Sequence, residues 1–221
     1  MDTNKMVFFA VLAAAVIGGV YYLNSQKAPR SSTGEKVEVT TRMGKEEKAK
    51  LYPAAKEITA PDGFINTDGK PITIGEFVGK KVVLLDIWTY SCINCQRTTP
   101  YLNAWYDRYK DKGLVIIGLH TPEFEFEKSY QNVLEATERM KIKYPVVLDN
   151  DFSTWNAYQN RFWPRKYLKD IDGFIVYDHI GEGAYDETER RIQELLGERM
   201  AVLEIEGDIA QGVLKPEGVV E

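Results

Sequence analysis

Cys92-Ile93-Asn94-Cys95 holds the only two cysteines of the 221-residue chain, and the residues on either side restrict the local fold sharply. Before it, Val82-Val83-Leu84-Leu85-Asp86-Ile87-Trp88 is an apolar, β-branched run that reads as a buried strand. After it, Tyr101, Leu102, Trp105 and Tyr109 recur at helical spacing. The first cysteine is therefore expected at a strand-to-helix corner. Unpaired amides and the macrodipole at a helix start favour negative charge, which stabilises a thiolate there. Only the thiolate attacks disulfides, so Cys92 reads as a nucleophile and Cys95, one turn on, as the thiol that resolves the mixed disulfide.

Three plainer explanations compete. A structural zinc site needs about four ligands, and His120 and His179 are too far apart in sequence for the usual short histidine pair. A purely structural disulfide over so short a loop constrains the unfolded chain little. Two inert buried thiols are the third. Redox chemistry accounts for the spacing and its flanks best.

The flanks also carry a family resemblance. Asp86 lies six positions before Cys92, Trp88 four before it, and Pro100 five after Cys95, an arrangement that resembles thioredoxin. Phe162-Trp163-Pro164 precedes the strand-like Lys166-Tyr167-Leu168-Lys169, where thioredoxin-like proteins place a cis-proline. The stretch 114–150 resembles the β-α insertion of the TlpA/ResA branch. Trp88-Thr89-Tyr90-Ser91-Cys92-Ile93-Asn94-Cys95 and His120-Thr121-Pro122-Glu123-Phe124 look most like the soluble thioredoxin-like domain of DipZ proteins.

That resemblance implies a thioredoxin fold over about residues 61–197: a mixed central sheet flanked by helices, an N-terminal hairpin of Phe64-Ile65 and Ile72-Thr73-Ile74, and a helix from Thr121-Pro122. It implies that Cys92 and Cys95 form a redox-active disulfide with no other cofactor or metal. Asp86 would be a buried carboxylate that takes the proton of Cys95. Trp163, Pro164 and Trp88 would contact substrate, with Asn94 and His120 as possible tuning residues. Protein disulfides or dithiols would be the substrates, and a membrane electron donor of the CcdA/DsbD type a partner. Two departures stand out. Thr98 occupies the position where ResA-type reductases carry glutamate, and Ile93-Asn94 differs from the Gly-Pro of thioredoxin and the Pro-His of strong oxidants. The direction of electron flow therefore stays open.

Two other functions remain in competition. Thr89-Tyr90-Ser91-Cys92 has the Thr-x-x-Cys half of a peroxiredoxin site, but Leu85 stands where those proteins have proline. A binding module whose disulfide is only a lock is the second.

Met6 to Leu23 is an uncharged, mostly apolar run of eighteen residues, long enough for a membrane-spanning helix. No convincing small-x-small cleavage site follows, so residues 1–26 read as an uncleaved anchor, 27–60 as a polar linker with a solvated helix near Gly44 to Lys50, and 198–221 as a tail. Lys27, Arg30 and Lys36 after the run favour a cytoplasmic domain on a strict positive-inside count. The export-like N-terminus and the resemblance favour an extracytoplasmic one, which is the expectation adopted. A formal charge of −5 without a basic stripe argues against nucleic acid.

Overall fold

The computed structural model describes residues 42–216, so the apolar run at 6–23 and the first part of the linker lie outside the described residues. No helix among the described residues is long and apolar enough to cross a membrane. Strands β1 (Gly63–Ile65), β2 (Val82–Trp88), β3 (Leu114–His120), β4 (Val146–Leu148), β5 (Arg165–Lys169) and β6 (Ile175–Ile180) form one mixed sheet in the order β1-β4-β3-β2-β5-β6. Helices α1 (Lys45–Leu51), α2 (Ile93–Tyr109), α3 (Tyr130–Arg139), α4 (Ser153–Ala157) and α5 (Tyr185–Val202) complete it. This is the thioredoxin fold.

Strand β2 is central, parallel to β3 and antiparallel to β5, and every one of its residues is buried. A strand covered on both faces loses the usual apolar-polar alternation, which is why 82–88 is continuously apolar apart from Asp86. Leu84, Trp88 and Leu168 pack with Leu102 and Trp105 of α2 and Ile192 and Leu196 of α5. Val83, Leu85, Ile87 and Tyr167 pack on the opposite face with Ile58, Ile72, Ile74 and Trp155. Side chains alternate along a strand, so Asp86 shares the α2 face with Leu84 and Trp88.

The expected hairpin does not form. Phe64 and Ile65 pair with Val147 and Val146 of β4, while Ile72 and Ile74 enter the second core without a partner strand. Side chains satisfy the backbone at Ile74 instead. Glu57 accepts from the N–H of Ile74 and Gly75 at 2.6 and 2.9 Å, and Lys169 Nζ donates to Ile74 O at 3.1 Å. The helix expected from Thr121-Pro122 begins only at Tyr130, capped by Ser129. Buried Glu127 captures the intervening backbone at Glu123 and Phe124.

The described part of the expected linker is built into the fold. Ala54 bridges Phe174, Ile175 N–H donates to Pro53 O, and Ile58 is core. The expected solvated helix does form as α1, but its Lys48 is buried. Lys48 Nζ lies 2.7 Å from Asp170, 3.0 Å from Asp172 and 2.5 Å from Glu198, so one ammonium fills the space among three carboxylates. Removing the cation strands Asp170, which is itself buried. Lys48→Met is expected to lower unfolding free energy by about 3 kcal/mol, the scale of a broken buried ion pair, read as a drop in the urea midpoint at unchanged slope.

Candidate active site

The site begins where β2 stops. Thr89–Ser91 turn the chain and Cys92 is the N-cap residue of α2, with extended backbone at φ −68° and ψ 118°. Both thiols are free, Cys92 half-buried and Cys95 1% exposed. Their environments drive their acidities apart. The Cys92 thiol is lowered to about 6, chiefly by a hydrogen bond from the Cys95 thiol, against partial burial, with help from the backbone N–H groups of Cys95 and Asn94. Glu123 opposes this with its negative charge. Cys95 is pushed far up by burial first, then by its bond to Cys92 and the charge of Asp86. One sulfur is thus a thiolate at neutral pH and the other holds its proton.

Asp86 is 2% exposed beneath this pair, and its Oδ1 has no hydrogen-bond partner among the described residues. Burial raises its carboxyl to about 7, with the Lys166 ammonium pulling it down and Cys92 pushing it up. A carboxyl titrating near neutrality beside a thiol can exchange a proton with it.

The Trp163-Pro164 peptide bond is cis, and the Cys92 sulfur lies 4.0 Å from the Trp163 carbonyl oxygen. Trp163 is fixed by an indole N–H donated to Thr121 O at 3.0 Å and by Trp155, 4.3 Å away between ring centres. Ile93, Phe124, Phe126 and Phe162 are exposed on the segments around Cys92, and Phe124 stacks on Phe126 at 5.5 Å.

Two expected site residues are placed elsewhere. Trp88 is 1% exposed in the core, edge-on to His120, so it cannot touch a substrate. A Cβ on Gly118 would lie 2.8 Å from Trp88 Nε1, so the neighbouring strand has room only for glycine. His120 is buried, and that burial lowers it to about 4, leaving it neutral. It stacks on Tyr90 and lies 3.4 Å from Thr89 Oγ1, so it packs against the loop before Cys92. Asn94 contributes its backbone N–H to Cys92 and accepts from Thr98 Oγ1 at 2.8 Å.

Two residues of the site escaped the sequence reading. Buried Glu127 accepts from the N–H of Ser91 at 3.2 Å, Glu123 at 2.7 Å and Phe124 at 3.0 Å, tying the turn before Cys92 to the aromatic loop. Those donors, with the Ser91 and Thr89 side chains, hold it ionised against burial. The other is Lys166, opposite Asp86 on β5. No spacing marks the first, and only the strand register reveals the second.

Comparison with known proteins matches this geometry to a family. The AhpC/TSA family profile matches residues 53–178. Protein DipZ of Mycobacterium tuberculosis is 48% identical over 146 residues, 63% of this chain and 21% of DipZ. The chain therefore spans about a fifth of that relative. Thiol-disulfide oxidoreductase ResA of Bacillus cereus is 32% identical over 134 residues, 60% of this chain and 74% of ResA. A solved thioredoxin-like protein in its oxidised form superposes with a TM-score of 0.61 at 26% identity, over 67% of this chain and 98% of that one.

Because the thiolate is the alkylated species, iodoacetamide labelling of Cys92 should reach half its plateau rate near pH 6. Cys95→Ala removes the largest stabilising contact, so the midpoint should move up toward the ordinary cysteine value of about 8.5, measured by mass spectrometry against pH.

Proposed function

This chain belongs to the AhpC/TSA family, and on that premise we propose that it is a thiol-disulfide oxidoreductase, tethered through residues 6–23, that exchanges its Cys92/Cys95 dithiol with disulfides of extracytoplasmic proteins. The observation that carries the reading is the opposite displacement of the two thiols over a carboxyl that titrates near neutrality. The Cys92 thiolate attacks a substrate disulfide, and one substrate sulfur leaves with the electron pair. Cys95 then yields its proton to Asp86 and attacks the Cys92 sulfur, which releases the second substrate sulfur as thiolate. The enzyme dithiol is oxidised by two electrons and the substrate disulfide reduced; every step is reversible.

The exposed apolar side chains beside Cys92 and the Trp163 carbonyl that faces it suit an extended polypeptide segment. A ResA relative named as a thiol-disulfide oxidoreductase supports the same chemistry. In this reading a membrane electron donor of the CcdA/DsbD type returns electrons to the pair, and the apolar run at 6–23 keeps the domain near it. Peroxide reduction draws less support from the site, because Thr89 is fully buried and its hydroxyl sits 3.4 Å from His120 Nε2.

Cys95→Ser blocks resolution, so in intact cells it should accumulate covalent partners through Cys92 that dithiothreitol releases. A membrane-impermeant maleimide should label free Cys92 without lysis. A trap variant that captures no protein contradicts the exchange chemistry, and labelling only after lysis contradicts the extracytoplasmic placement.

A further inference from the structure

The exchange chemistry gives no part to the buried lysine opposite Asp86. Lys166 stands opposite Asp86 in the antiparallel register of β2 and β5, and cross-strand partners project from the same face. Its side chain therefore enters the layer between the sheet and α2 that also holds the carboxylate. The residue is 0% exposed. Its ammonium donates to Gly181 O at 3.1 Å and lies 5.8 Å from the centre of the Tyr185 ring. The next residue, Glu182, reaches Arg97 of α2 at 3.4 Å.

A lysine stripped of water keeps its charge only where opposite charge faces it. The groups around Asp86 and Lys166 are few. From α2 come Cys92 and Cys95, from the segment before β4 comes Tyr144, and from the loop after β6 comes Glu182. Burial lowers the Lys166 ammonium, and Asp86, Cys95 and Glu182 counter it in that order. Thr98 cannot contribute a charge from α2, and its hydroxyl is committed to Asn94 O. The cation beside the proton acceptor thus comes from the sheet.

We propose that Lys166 is a positioning residue for the resolving step, holding Asp86 as carboxylate at the moment Cys95 must give up its proton. The assignment rests on the dithiol-disulfide chemistry proposed above. In that step the Cys95 proton passes to an Asp86 oxygen and the Cys95 sulfur bonds to the Cys92 sulfur. The bond from Cys92 to substrate breaks, and the substrate sulfur departs with the electron pair. Without the Lys166 cation, Asp86 binds its proton at higher pH. It then enters the step already protonated at pH 7, with no place for the proton of Cys95.

Ellman's reagent separates the two events. The first thionitrobenzoate released from the reduced protein reports attack by Cys92, the second resolution by Cys95. Lys166→Met should move the half-rise of the second release up by about one pH unit, making it about fivefold slower at pH 7 and convergent with wild type in alkali. Lys166→Arg should restore the wild-type profile. Should Lys166→Met not fold, reciprocity offers a second measurement: carbon NMR of the Lys166 Cε should show its ammonium titrating at lower pH in Asp86→Asn than in wild type. Equal slowing at every pH, or an unmoved Lys166 titration, overturns the assignment. A wild-type protein that gives no second release overturns the exchange chemistry itself.

Discussion

The unequal burial of two neighbouring thiols is the constraint on which the rest of the site depends. Cys95 can donate to Cys92 only because it stays protonated, and it stays protonated because α2 presses it against the sheet above Asp86. Burial of one thiol is therefore what makes the other acidic. The fold supplies that inequality through β2, which ends at the corner and leaves Cys92 at the helix start with only partial cover. Thioredoxin-like sheets put the corner at the carboxyl end of a central strand, where helix amides converge.

The chain's local rules and its one exception fit together. Along β2 every position is apolar but Asp86, and a carboxyl in such a place costs stability unless its charge is neutralised or paired. Here it is poised between the two, since burial favours the proton and Lys166 disfavours it. Polar groups held at that balance are where a fold departs from tight packing in favour of chemistry. Glu127 acts differently: its full set of backbone donors keeps it an anion and turns it into a staple for the loop before Cys92.

Much of this was legible in the residues. The continuous apolar run at 82–88 and the helical spacing after Cys95 give the strand, the helix and the corner, because each signal is local. Asp86 and Pro164 became legible through resemblance. What escaped depends on pairing between distant segments. Lys166 faces Asp86 only because β5 runs antiparallel beside β2, and Trp88 is denied to substrate only because Gly118 lets it sink against β3. The expected hairpin failed for the same reason: Ile72 and Ile74 alternate like a strand, yet Glu57 and Lys169 satisfy the Ile74 backbone from elsewhere. Lys48 read as a solvated charge because its three carboxylate partners lie far along the chain.

The central claim is that the two thiols catalyse exchange with protein disulfides. Turbidity from insulin reduced by dithiothreitol tests it most directly. The wild-type protein should shorten the lag before insulin B chain precipitates, and Cys92→Ser should behave as if no protein were present. Equal lags for wild type and Cys92→Ser would contradict the account and leave the fold as a binding scaffold.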